Sequence, residues 1–112
     1  MKLFCKNKLI FNDLKVANTF LSRFLGLMGK KSLPEGSALL ISPCKMVHNC
    51  FMRFSIDILF IDSKNKIVGL CPGLRPWRLS PFIKNSKSVI ECNKGIISRF
   101  DLSIGDLVEI KP

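Results

Sequence analysis

The 112 residues leave room for one hydrophobic core and not two, and a composition 47% apolar and 23% charged excludes a disordered chain. No apolar run approaches the ~18–20 residues of a membrane helix, and MKLFCKNKLIF breaks up any signal-peptide core with lysines and asparagine; the expectation is a single cytoplasmic domain over residues 1–112 with no membrane span. A net charge of +10 draws anionic partners such as nucleic acid, acidic lipid or acidic protein, but the lysines are scattered, which disfavours a nucleic-acid footprint.

In chain order, Leu3–Cys5, Leu9–Phe11 and Leu14–Ala17 read as short strands separated by Lys, Asn and Asp turns. The period then changes. In NTFLSRFLGLMGKK, Phe20, Phe24 and Leu27 fall at helical spacing, with Asn18 or Thr19 as cap and Gly29 as terminator, so one short helix is expected. LPEGS predicts a turn with Pro34 at its first corner and Gly36 at positive φ. ALLIS follows as a fully buried strand closed by Pro43.

The segment 46–62 is expected to run extended. Its even positions, Met46 and His48 through Ile56, Ile58 and Phe60, then form a core face, and its odd positions a mixed face that turns apolar near its end. DSKNK predicts a hairpin into IVGLC, and CPGLRPWRLSPF, with three prolines and a glycine, a long irregular connection. SVIEC is another strand, NKG a turn, IISRFDLS a single helical turn, and IGDLVEIK a turn and a final strand. About eight short strands with one or two short helices define an all-β class, a compact barrel or jelly-roll-like sandwich.

Chemistry concentrates in two places. His48, the only histidine, is the one side chain whose ordinary titration lies near neutral pH, and Cys44 precedes it by four residues. A Cys44 nucleophile with a His48 base needs a turn over residues 45–47, since four extended residues span ~13 Å. The competing reading is a core histidine beside a cysteine that fills space. Arg53 and Asp57 share the mixed face and need partners from neighbouring strands, because a buried unpaired charge is expensive. Five cysteines, an odd number, predict reduced thiols and no disulfide framework. Cys44, His48, Cys50 and one of Cys71 or Cys92 have the ligand chemistry and number for zinc, but the C-x3-H-x-C spacing is not that of a known knuckle. No metal or other cofactor is expected.

The second place is LRPWRLSPF, where Trp77 stands between Arg75 and Arg78. A flat apolar ring with two fixed cations suits a planar or anionic ligand. Alternatively, Trp77 plugs a barrel end and the arginines pair with Asp57, Asp62 or Glu91.

Taken together, these motifs resemble the DUF192 (UPF0127) family of small β proteins. The resemblance is carried by Ala17, Thr19, Arg23, GLMG at 26–29, LPEG at 33–36, Pro43, Cys44, His48, Met52-Arg53-Phe54 and Ile56-Asp57. Phe60, Asp62, LRPWR at 74–78, Glu91, Gly95 and GD at 105–106 complete it. It implies a compact β-barrel or jelly-roll-like sandwich and supplies no activity. The family usually has threonine where this chain has Asn49, so a hydrogen bond made there must be made by an amide. It also has proline at Ser55 and an aromatic residue at Cys50.

The candidate ligand-binding set is His48, Arg53, Asp57, Arg75, Trp77 and Arg78, with Cys44 and His48 as the catalytic candidates. Three functions compete. The first is a binding module that holds a small anionic or sugar-like ligand, or a peptide, at one barrel end. The second is a Cys/His-dependent enzyme of acyl or phosphoryl chemistry. The third is an accessory protein that meets an acidic partner through its basic surface.

Overall fold

The computed structural model describes residues 1–16, 32–49 and 54–112. Short apolar stretches cut by turn residues give eight strands and one short helix among these residues: β1 (Lys2–Cys5), β2 (Lys8–Phe11), β3 (Asp13–Val16), β4 (Ser37–Ile41), β5 (Ile56–Ile61), β6 (Ile67–Leu74), β7 (Ser88–Asn93), α1 (Ile96–Arg99) and β8 (Val108–Lys111). The all-β expectation holds. The barrel does not: the strands form two sheets, ordered β2-β1-β8 and β3-β4-β7-β5-β6, that are not closed on themselves. One edge of the larger sheet is β6, and it carries Pro72, which has no N–H to offer a further strand.

Local chemistry accounts for several connections. Lys6 and Asn7 both take positive φ between paired Cys5 and Lys8, which makes a tight two-residue hairpin. In LPEGS the Ser37 N–H donates to the Pro34 carbonyl at 3.0 Å and Gly36 has φ 78°. Pro34 therefore opens this turn, and Glu35 and Gly36 occupy the corners expected to begin at the proline. Beyond the Asp62–Lys66 turn, β6 continues through Pro72 and Gly73 to Leu74, past the point where the prolines predicted irregular chain. The proline survives there because it lies on an edge. The helix expected after Asn18 lies outside the described residues.

The larger sheet is buried on both faces. Leu59 and Ile61 of β5 pack with Leu3, Phe11, Leu14, Ile67, Ile90 and Val108 in a core between the sheets. Ile56, Ile58 and Phe60 point the other way, into a second core with Val47, Leu74 and Val89, against which Ile83 and Cys44 pack. The expected alternation thus holds within β5, and each row has a core of its own. It does not extend back to residue 46: the strand begins at Ile56. β4 is also less buried than expected, with only Ala38 fully inside.

The second core is covered by an irregular antiparallel ribbon made of residues 44–49 and 77–87. Cys44 N–H donates to the Lys87 carbonyl at 2.8 Å, Ile83 N–H to Lys45 at 2.8 Å, Ser80 N–H to Val47 at 2.8 Å and Asn49 N–H to Arg78 at 2.9 Å. Gly69 of β6 lets the ribbon sit close. A Cβ there would lie 3.0 Å from Cγ1 of Ile83 and 3.1 Å from Cδ2 of Phe60.

Candidate functional site

The ribbon has two faces, set by the pleat. Val47, Asn49 and Ser80 point inward and are buried, whereas Met46, His48 and Leu79 point outward, with His48 and Leu79 directly opposite one another. This is the reverse of the expected phase, which placed Met46 and His48 on the core face. The reason lies in the inward row. Ser80 Oγ accepts the Val47 N–H at 2.9 Å, and the Asn49 side-chain amide donates to the carbonyls of Leu74 at 2.8 Å and Phe54 at 3.1 Å. Small polar side chains that pair with backbone can be buried at little cost in hydrogen bonds, so they take the inside, although Asn49 Oδ1 is left buried with no hydrogen-bond partner among the described residues. The amide at position 49 makes the bonds that threonine's absence assigned to it.

The outward face of a half-buried ribbon is ordinarily polar. Here it is not. Trp77 is 66% exposed, Leu79 64%, Phe82 63% and Met46 45%. Trp77 also has φ 65°. Its N–H donates to the Asn49 carbonyl at 2.6 Å while Asn49 N–H reaches the next residue, Arg78. The pairing therefore carries a bulge at Trp77. A bulky aromatic in the left-handed region costs about 1–2 kcal/mol that glycine would not incur, and such strain concentrates where a surface is used.

Charge follows the same ribbon. Lys45, Arg75, Arg78, Lys84 and Lys87 are all exposed, and neither residues 43–49 nor 75–88 contain an Asp or Glu. Among the described residues no carboxylate pairs with Arg75 or Arg78, and the carboxylates expected as partners are occupied otherwise. Asp62 Oδ1 accepts the N–H groups of Lys64 and Lys66, both at 2.9 Å, and these bonds, the Lys66 one first, pull its pKa below the usual carboxylate value. Nor is Trp77 buried as a plug, since two-thirds of it is exposed.

Asp57 lies elsewhere, as the second residue of β5 and only 1% exposed. Opposite it β6 has an extra residue, because Ile58 pairs with Cys71 and Ile56 with Leu74. The bulge frees the Gly73 N–H, which donates to Asp57 Oδ1 at 2.8 Å. Asp57 Oδ2 accepts the N–H groups of Gly95 at 3.1 Å and Ile97 at 3.0 Å, at the start of α1. One buried carboxylate thus ties an edge strand and a helix start to a central strand. Glu91, at the centre of β7, is fully buried as well.

Cys44 is half-buried, and its thiol donates to the Met46 carbonyl at 3.2 Å. The attacking form of cysteine is the thiolate, and this contact engages the thiol proton instead. Burial, then the charges of Asp57 and Glu91, push the Cys92 thiol well up, and burial also raises Cys5 and Cys71. No cluster of three or more His, Cys, Asp or Glu side chains among the described residues is placed to hold a metal ion. Arg53 and Cys50 lie outside the described residues. The structure therefore brings His48, Trp77 and Arg78 onto one ribbon, with Arg75 just before it and Cys44 at its far end, and leaves Asp57 apart. Sequence reasoning missed Met46, Leu79 and Phe82 as companions of Trp77. No local signal could have found them, because the phase is set by the bonds of Ser80 and Asn49 to distant backbone.

Two packed sheets, one edged by a bulged strand and covered by a ribbon, place the molecule among the small all-β proteins. The chain belongs to the DUF192 family (Uncharacterized ACR), whose model matches residues 4–110. A UPF0127 protein of Pyrococcus furiosus is 34% identical over 109 residues, covering 93% of this chain and 91% of its own. A UPF0127 protein of Pyrococcus horikoshii is 30% identical over 102 residues, with 87% and 86% coverage. A crystal structure of a protein of unknown function from Novosphingobium aromaticivorans shares the fold, with a TM-score of 0.79 at 18% identity over 97% of this chain and 84% of that one. A candidate transcription regulator from Sinorhizobium meliloti is similar at a TM-score of 0.69 and 23% identity, over 86% and 79%. No helix among the described residues is long and apolar enough to cross a membrane.

Proposed function

We propose that residues 1–112 act as one binding module, and that the outward face of the 44–49/77–87 ribbon is its contact surface for an anionic partner. The observation that carries this reading is Trp77, held two-thirds exposed at positive φ between two exposed arginines. A fold under no such demand would place glycine there. Trp77 supplies a flat apolar ring, Arg75 and Arg78 supply planar cations for carboxylate or phosphate, and His48 lies on the neighbouring strand. Asp57, with both oxygens taken by backbone N–H groups, serves in this reading as an anchor of the fold. Catalysis by Cys44 and His48 has less behind it, because the thiol proton is engaged by a carbonyl.

Trp77 is the only tryptophan, so intrinsic fluorescence reports on the site directly. Titration with inorganic phosphate, citrate and poly-glutamate should change Trp77 emission with at least one of them and raise the melting temperature. Arg78→Gln should remove that response and leave the unliganded melting temperature within about 2 °C, as expected of a surface change worth ~0.5 kcal/mol or less. An Arg78→Gln protein that is itself strongly destabilised would turn the arginine into a structural group and end this reading.

A further inference from the structure

We propose that the partner of this ribbon is an anionic lipid surface, on which the protein docks peripherally through its outward row. The inference rests on the binding-module reading above and names the partner's chemistry. Three observations favour lipid over a folded or peptide partner. First, Trp77, Leu79 and Phe82 protrude with roughly two-thirds of their surface in water. A bilayer interface accommodates irregular protruding side chains to a depth of ~5–10 Å without a matching pocket. Second, the residue types are those of an interfacial anchor, with aromatic and aliphatic side chains interleaved with cations in Arg-Pro-Trp-Arg-Leu-Ser-Pro-Phe-Ile-Lys. Third, the ribbon bears four cations, Lys45, Arg78, Lys84 and Lys87, with Arg75 just before it, and no carboxylate, the charge pattern attracted by a negatively charged leaflet.

Neither signal suffices alone. The apolar row is short for stable insertion, and scattered surface lysines hold a membrane only weakly. Their coincidence on one ribbon is the two-signal arrangement that gives reversible attachment. The inward row is bonded to backbone, so Met46, Trp77, Leu79 and Phe82 are presented together.

The test uses the full chain with unilamellar vesicles of phosphatidylcholine, alone or with 30% phosphatidylserine. Co-sedimentation with the anionic vesicles only is expected. Trp77 emission should shift to the blue and be quenched by lipid brominated in the acyl chain. Binding should weaken severalfold between ~50 and ~200 mM salt. Each cation removed near the surface weakens attachment about 5-fold, so Arg75→Gln with Arg78→Gln should weaken it roughly 25-fold. Leu79→Ser with Phe82→Ser, both at exposed positions, should abolish the quenching. Lys2→Gln with Lys8→Gln removes the same charge from the other sheet and should change binding less than 5-fold. Equal loss with this control pair would mean that net charge alone drives binding, and would overturn the proposal. Absence of vesicle binding with a Trp77 response to poly-glutamate or to an RNA oligonucleotide would overturn the lipid partner and keep the binding module. No response to vesicle, peptide, RNA or soluble anion would overturn both.

Discussion

The sharpest test of the division between anchor and contact surface is Asp57→Asn. The carboxylate accepts three backbone N–H groups at 2.8, 3.0 and 3.1 Å from a site that is 1% exposed. Asparagine keeps one acceptor oxygen. Its best orientation leaves that oxygen on the Gly95 and Ile97 pair and turns the NH2 toward the Gly73 N–H, so a donor faces a donor. A buried backbone N–H left without an acceptor costs about 1–3 kcal/mol. The two remaining bonds lose their charge assistance, roughly another 1 kcal/mol together. The expected destabilisation is thus about 2–4 kcal/mol, a large part of the ~5–15 kcal/mol typical of a domain. Urea unfolding followed by far-ultraviolet circular dichroism reads this directly. With a slope near ~1.5 kcal/mol/M, a loss of about 3 kcal/mol lowers the midpoint by ~2 M. Binding at the ribbon should survive at concentrations where the variant is folded. A midpoint shift below about 0.5 M at unchanged slope would refute the reasoning, because the three bonds would then carry no weight and Asp57 would return as a site candidate.

Three further outcomes are expected. Trp77→Gly relieves about 1–2 kcal/mol of left-handed strain against ~0.5–1 kcal/mol of added chain entropy, so the backbone alone favours the variant by up to about 1.5 kcal/mol, and thermal unfolding reads how far the lost contacts of the ring offset that gain. A clear loss of stability would show that the ring is needed for folding. Asp62 has a depressed carboxyl in the folded chain because the Lys66 and Lys64 N–H groups bond it. It therefore contributes stability above its unfolded pKa of about 3.9 and loses it as pH falls through the lower folded value. Acid titrations of Asp62→Asn should show a shallower decline below about pH 4 than the parent, and parallel curves would count against the turn bonds. Iodoacetamide at pH 8 should leave Cys92 unmodified in the folded protein and label it on unfolding, given its burial and raised thiol pKa; mass spectrometry of the labelled peptide decides.

The strands were legible because period-2 apolar runs and turn residues are local signals. β1, β2, β7, α1 and β8 all start within a few residues of their expected positions. The phase of residues 44–49 was not legible. The pattern Met-Val-His-Asn alternates equally well either way, and only the bonds of Ser80 and Asn49 to distant backbone decide which row faces in. β6 outran its expected end because Pro72 and Gly73 are breakers inside a sheet but acceptable at an edge bulge, and edge position is a property of the assembled sheet. The same holds for Asp57. The sequence shows a carboxylate in a strand, while the N–H groups that surround it come from residues 16, 38 and 40 positions away. Of the candidate site, the LRPWR segment was visible as chemistry and its apolar neighbours were not.

The ribbon separates two duties that most binding loops combine. Its shape is written in Val47, Asn49 and Ser80, which bond or pack inward, while Met46, Leu79 and Phe82 lie exposed on its outer side. The exposed positions at 46, 79 and 82 can therefore change while the frame beneath stays the same. Recognition can then diverge along this fold without any refolding, and a chain with the same frame but a polar outer row would have exchanged one partner for another through a handful of surface substitutions.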